Sequence, residues 1–347
     1  MDWILVALLV LALLLRLRGV LSFPLEGDEI YTFFEARDLF GTALEPGVEA
    51  RPLYFLLQHG LAVLTPDWLA GDRHPAVLRS LPVLFGVAGI WSIWRLGREA
   101  MGHRAALVAA ALTAISPWHL YASGMARYWS LVFLLACLAY WRLLVAHRTD
   151  RLRDHLVAAV PTVLGAVTHP TFLFPMVGGL LALRFEERED APWLAWSWPS
   201  SSEWKGFWLP VVGSLGIAGL ALVLTGSEDA VRNWGGRDLV AVLRLLPAMV
   251  QWATPVVVTA GVLGMAAVYW SDPTDTRIRA WGRLAVAGTA SSIVLLLVAA
   301  LGTNVYADYG MSALPLILVS AGILVSRLVG GLGGLSPVAA LFAFLVI

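Results

Sequence analysis

The sequence has one cysteine, Cys137, and one lysine, Lys205, among 347 residues. A single thiol excludes a disulfide framework. Paired-cysteine zinc spacing, a Gly-rich phosphate loop and a nucleophile elbow are missing as well, which removes the usual marks of zinc modules, P-loop enzymes and serine hydrolases. Charge is the larger deficit. Asp, Glu, Lys and Arg make up 14% of the chain, against about 25% in an ordinary soluble domain. Formal net charge is zero, so nothing in the bulk charge favours nucleic acid. A soluble protein of this size needs polar surface to cover its core, and this chain is short of it.

Apolar runs take the place of charge, with 59% hydrophobic residues. They lie near 3–21, 78–96, 105–122, 128–146, 155–168, 170–185, 206–224, 252–270, 284–301, 311–326 and 335–347. A membrane span needs about 20 residues, so the runs predict an all-α polytopic transmembrane bundle of about 10–11 spans. The 155–168 and 170–185 runs are short and meet at Thr168-His169-Pro170, as two short helices or one re-entrant pair. No basic residue precedes the first run and no small-residue cleavage site follows it. It reads as a retained span rather than a secretory signal.

Arginine counting sets an orientation. With the N-terminus in the cytoplasm, 14 of the 24 basic residues fall in cytoplasmic loops: Arg95, Arg98, Arg104, Arg142, Arg148, Arg151, Arg153, Arg184, Arg188, Lys205, Arg277, Arg279, Arg283 and Arg327. Arg16 and Arg18 argue locally for the reverse. The later loops outvote them, since two arginines can snorkel to an interface. The chain is then one transmembrane domain over 1–347. It has a first extracytoplasmic loop at 22–77, a cytoplasmic loop at 186–205 and a second extracytoplasmic loop at 225–251. Within the first loop, Ile30–Phe40 and Leu53–Leu64 are expected to be helices lying on the membrane surface.

The sharpest polar feature is Gly27-Asp28-Glu29, just beyond the first span. Asp28 fits a helix N-cap or first-turn acid. It also fits a general base taking the proton from an attacking hydroxyl, with Glu29 orienting it or helping to hold a metal. Arg51, in Arg51-Pro52-Leu53-Tyr54-Phe55, could face a phosphate or sit among headgroups. Arg79 and Arg127-Tyr128 lie at outer helix ends, the face that bears the acids, and guanidinium groups grip phosphate in a fork. His169, flanked by Pro161, Pro170 and Pro175, is a structural turn residue or a phosphate or metal contact. Tyr306-Ala307-Asp308-Tyr309 reads equally well as a belt of aromatics beside a helix cap.

Taken in order, these segments resemble the GT-C membrane glycosyltransferases, in particular the protein-O-mannosyltransferase and aminoarabinose-transferase branch. The resemblance runs through Asp28-Glu29, Arg51-Pro52-Leu53-Tyr54-Phe55, Leu78-Arg79-Ser80-Leu81-Pro82 with Gly86, Gly97-Arg98 with Gly102, Ser116-Pro117, Ala126-Arg127-Tyr128 and Thr168-His169-Pro170-Thr171. It is looser in the second half, where Asp308, before Tyr309, stands in place of a usual arginine.

The resemblance implies an inverting transfer of a sugar from a polyprenyl- or dolichyl-phosphate donor to a hydroxyl of a protein, lipid or glycan. Asp28 would be the base and Glu29 its neighbour. Arg51, Arg79, Arg127, Tyr128, His169 and Tyr309 would form the donor and phosphate pocket. No nucleotide cofactor is expected, because the carrier phosphate is the leaving group. Asp28, Glu29 and His169 are the candidates for a divalent metal. The implied place is the extracytoplasmic face of the plasma membrane. A transporter or flippase for a lipid-linked sugar, or a non-catalytic relative of the same family, is the competing expectation; few charges at midspan argue against the transporter.

Overall fold

The computed structural model describes residues 2–20, 24–37, 52–65, 74–187, 194–224, 243–269, 275–302 and 305–331. The expected last run, 335–347, lies outside the described residues, as does Arg51. The described chain is almost entirely helical. Its elements in order are α1 (Trp3–Val20), α2 (Gly27–Arg37), α3 (Pro52–Leu64), α4 (His74–Met101), α5 (His103–Ile115), α6 (Pro117–Gly124), α7 (Trp129–Thr149), α8 (Leu152–Thr168) and α9 (Leu173–Leu183). After a short hairpin come α10 (Leu209–Leu224), α11 (Leu245–Ala253), α12 (Pro255–Tyr269), α13 (Thr276–Gly302) and α14 (Leu314–Gly331).

Among the described residues, α1, α4, α7 and α13 are each long and apolar enough to cross a membrane alone. Two bent helix pairs pass the same test together, each a broken span or a re-entrant loop. The expected 105–122 run breaks by 58° between α5 and α6, and the 252–270 run is preceded by a 94° bend between α11 and α12. Both breaks fall at prolines, Pro117 and Pro255. A proline disfavours helical geometry in the residue before it and lacks the N–H that continues the ladder. Thr254, just before Pro255, has φ 63°, a conformation that a β-branched residue adopts only under strain. Among the described residues the helices that qualify as spans number four, or up to six if each bent pair is one span, against the 10–11 expected from hydropathy. Shorter apolar helices account for part of the difference, including Pro52–Leu64, Pro170–Leu183 and Leu314–Val329.

The centre of the bundle is α7, which packs on α4 and α8. Two close pairs flank it: α9 with α13, and α12 with α14. Small residues let their backbones approach. A Cβ on Gly264 would strike the Ser320 carbonyl, and one on Gly178 would strike the Ala287 carbonyl and the Ser291 side chain. In lipid, where apolar surface gives helices little reason to associate, such contact is a principal source of pairing. Across the core, the buried Tyr140 hydroxyl donates to the Ser312 carbonyl at 2.8 Å. The 155–168 and 170–185 runs are separate helices, because α8 packs on α7 while α9 packs on α13.

Two other expectations are revised. Arg16 does not snorkel. It is 2% exposed and donates to the Ala12 and Ala114 carbonyls, with Nη2 2.6 Å from His119 Nδ1. The Ala114 carbonyl lies at the α5–α6 break, so Arg16 fills a ladder that proline interrupts. Nor do the aromatics of α3 face outward. Tyr54, Phe55 and Gln58 are buried against protein, and Gln58 donates to the Tyr54 hydroxyl and the Leu78 carbonyl.

The expected cytoplasmic loop contains a small antiparallel hairpin, Phe185–Glu187 with Leu194–Trp196, which the hydropathy pattern did not predict. An ion pair between Arg184 and Glu203 at 2.6 Å lies beside it.

Candidate active site

The first turn of α2 carries both acids, and the structure gives them opposite surroundings. The backbone N–H groups of Glu29 and Ile30 donate to the Glu26 carbonyl, so Glu26 is the N-cap and Glu29 the third helical residue. From there the Glu29 carboxylate reaches back to the Glu26 N–H at 3.0 Å, the returning half of a capping box. Its remaining capacity is also taken. Arg79 Nε donates to Oε1 at 2.8 Å and Nη2 to Oε2 at 2.5 Å, a forked pair, and the Ala126 N–H donates to Oε1 at 2.6 Å.

Arg79 is equally committed. Nη1 donates to the Val20 carbonyl and Nη2 to the Pro24 carbonyl. Glu29 is 0% and Arg79 3% exposed. Burial pushes the Glu29 carboxyl up, but the Arg79 hydrogen bond, the two backbone N–H groups and the guanidinium charge outweigh it and hold the group below its ordinary value. These two side chains clamp the end of α1, the start of α2, α4 and the α6–α7 junction together. Their hydrogen-bonding groups, expected to meet a metal at Glu29 and a phosphate at Arg79, are taken up here by each other and by backbone.

Asp28, one residue earlier, points the other way. Its side chain is 64% exposed, and its one ion-pair partner among the described residues is Arg127 Nη2 at 3.4 Å. It makes no capping bond of its own; Glu29 does that work. Arg127 is 13% exposed and donates through Nη1 to the Asp28 carbonyl at 3.2 Å and to Thr32 Oγ1 at 3.4 Å. Its Nε is buried without a partner.

The adjacent Tyr128 begins a second group. Arg127 lies 5.1 Å from the Tyr128 ring centroid. His169, 4% exposed, stacks on Tyr128 at 5.1 Å and meets Trp129 at 5.0 Å and Tyr309 at 4.8 Å. Its Nδ1 lies 2.7 Å from Thr171 Oγ1 and accepts from the Thr171 N–H, so it caps the short turn Pro170–Phe172. His169 is thus part of an aromatic wall rather than an exposed ligand. No group of three or more His, Cys, Asp or Glu side chains fit to hold a metal occurs among the described residues. Asp28, Glu29 and His169 do not come together as such a group.

Asp308 is the residue whose importance the sequence did not reveal. Trp118 Nε1 donates to it at 3.1 Å, across 190 positions. Burial pushes its carboxyl up; the Trp118 bond opposes that, the Asp28 charge adds to it and the Arg127 charge subtracts. Asp308, Asp28 and Arg127 therefore feel one another at a single mouth. The available signal was Asp308 standing where the resemblance calls for arginine, together with Trp118 next to the Ser116-Pro117 break.

Residues 55–202 match the sequence-family model described as dolichyl-phosphate-mannose-protein mannosyltransferase. No curated protein matches the chain by sequence. In overall structure the chain is similar to the oligosaccharyltransferase of Archaeoglobus fulgidus. Its apo form aligns with a TM-score of 0.57 at 16% identity, covering 95% of this chain and 51% of that one. The form tethered to an acceptor peptide containing the NVT sequon gives 0.56 at 15%, with 95% and 50% covered. The form of the same archaeal enzyme, AglB, in complex with an inhibitory peptide and a dolichol-phosphate gives 0.56 at 15%, with 99% and 54% covered. The chain thus spans about half the length of these enzymes. It carries the mannosyltransferase pattern over residues 55–202 and shares the fold of an AglB-type enzyme over nearly all its length, and its apolar helices are those of an integral membrane protein.

Proposed function

We propose that the protein transfers a sugar, hexose or pentose, from a polyprenyl- or dolichyl-phosphate carrier to a hydroxyl acceptor, with Asp28 as general base. The acceptor oxygen attacks the anomeric carbon as its proton passes to the Asp28 carboxylate. The bond from that carbon to the phosphate oxygen breaks, and the carrier phosphate leaves with the electron pair. Attack opposite the leaving group inverts the anomeric centre. A positioned base of this kind supplies about 10²–10⁴ in rate.

The observation that carries the reading is the split between the two acids: Asp28 is open beside Arg127, while Glu29 is locked beneath it. Arg127, with a buried donor to spare, is suited to the charge developing on the leaving phosphate. Tyr128, His169 and Tyr309 form the wall behind it, and Arg51 is kept as a second phosphate contact. By the arginine count this mouth faces away from the cytoplasm at the plasma membrane. The dolichol-phosphate and the acceptor peptide bound by the archaeal enzyme are consistent with a lipid-phosphate carrier and a protein acceptor.

The test uses proteoliposomes of the chain with a panel of polyprenyl-phosphate hexoses and pentoses, following release of polyprenyl phosphate and the anomeric configuration of the product. The reading expects release with one donor and an inverted product. Retained configuration, or movement of intact donor across the bilayer without release, contradicts it.

A further inference from the structure

The opposite end of the bundle holds a cavity of 210 Å³ that the sugar-transfer reading does not use. Glu99 at the end of α4, His147 and Arg148 at the end of α7 and Arg277 in the first turn of α13 line it, with Leu144 and Ala280 as apolar floor. Arg127 lies just before α7 and Arg148 in its last turn, and 21 residues at 1.5 Å each put the two ends of α7 about 30 Å apart. That is the thickness of a bilayer's hydrocarbon core, so the cavity lies at the headgroup level of the other leaflet.

Two features mark that level independently. Arg95 lies 4.4 Å and Arg142 4.0 Å from the Trp141 ring, and Arg98 lies 4.9 Å from Trp94. Tryptophan and arginine concentrate where hydrocarbon gives way to headgroups. Among the described residues, the cavity's own cations are only partly used. Arg148 spends Nη1 on Glu99, leaving Nε and Nη2, and Arg277 spends Nε and Nη2 on Asp275, leaving Nη1. The start of α13 adds the positive end of a helix dipole, which the Asp275 carboxylate, bound to the Arg277 N–H, offsets in part.

We propose that this cavity binds the phosphate of an anionic phospholipid, with its acyl chains running down the apolar side of the bundle. The shared chemistry is a phosphate oxygen fork, which free phosphate also offers. Headgroup depth and an apolar floor select the lipid, as basic pockets between membrane helices do.

The experiment places the full chain in nanodiscs of equal parts phosphatidylcholine and phosphatidylglycerol and reads retained lipid by native mass spectrometry. The parent retains phosphatidylglycerol in preference. The variant Glu99→Gln/Arg148→Gln/Arg277→Gln removes both guanidiniums without stranding a carboxylate at Glu99. It lowers that preference about thirtyfold, the equivalent of ~2 kcal/mol for two cations near an anionic headgroup. Arg277→Gln alone, at a side chain more than half exposed and so safe for folding, lowers it about fivefold, the ~1 kcal/mol of one cation. Equal retention of both lipids by the parent overturns the proposal, as does an undiminished preference in either variant. So does inorganic phosphate raising the thermal midpoint of delipidated protein as far as phosphatidylglycerol does, since the site would then take a soluble anion. None of these outcomes depends on sugar transfer.

Discussion

Two layers at the start of α2 can be compared residue by residue. The lower layer, Glu29 with Arg79 and the Ala126 N–H, is buried, with both carboxylate oxygens and all three guanidinium nitrogens engaged. The upper layer, Asp28 with Arg127 and Asp308, is loose: a 3.4 Å ion pair, an unpartnered Nε and a carboxyl raised by burial. Both layers use the same residue types. The lower ties together four segments distant in sequence, and the upper is left free to meet something else. On the proposed reading, stability and chemistry are thus divided between neighbouring side chains of one helical turn.

The largest expected effect is on the lower layer. Arg79→Met strands a buried carboxylate and costs about 3–5 kcal/mol, enough to unfold much of a marginal fold. Thermal unfolding in detergent checks it; a change within about 0.5 kcal/mol would place the residue among ordinary surface sites. The same pair gives a pH dependence. Glu29 is held below its ordinary value in the fold, so its contribution is present above the unfolded value and is lost as pH falls through the folded one. The stability gap between parent and Glu29→Gln should therefore close on acidification.

Next comes the upper layer. Arg127→Gln removes a charge-assisted donor from the leaving phosphate and lowers turnover about 10²–10³-fold with the thermal midpoint nearly kept. A loss confined to KM would move Arg127 to ground-state binding. Below the clamp, Arg16→Gln leaves His119 Nδ1 and the Ala114 carbonyl short of a donor and costs about 1–3 kcal/mol. The smallest effect is at Asp308. Its folded value is raised, so its contribution is complete below the unfolded value and declines as pH rises through the folded one. Stability of the parent relative to Asp308→Asn, followed by thermal midpoint across the acid range, should fall in that direction.

Much of this was legible from composition and order. Few charges and long apolar runs marked a membrane bundle, and the ordered motifs led to the resemblance that the family pattern over residues 55–202 and the shared fold support. The Asp28-Glu29 pair stood out, but its division of labour could not be read. Neighbouring residues on a helix point about 100° apart, and which of them faces inward is decided by Arg79 and Ala126, 50 and 97 positions away. Arg16 misled because a charge near the end of an apolar run is usually a snorkeler, whereas here the α5–α6 break supplies buried acceptors. Hydropathy also merged helices that Pro117 and Pro255 bend apart, since a window average does not register a kink.

The central claim is that Asp28 acts on substrate while Glu29 acts on the fold. It is tested by measuring, in one preparation, carrier-phosphate release and thermal midpoint for Asp28→Asn and Glu29→Gln. The account predicts that Asp28→Asn keeps the parental midpoint and loses release by about 10²–10⁴-fold, while Glu29→Gln lowers the midpoint and keeps release per folded molecule. Parental release from a correctly folded Asp28→Asn protein would contradict it.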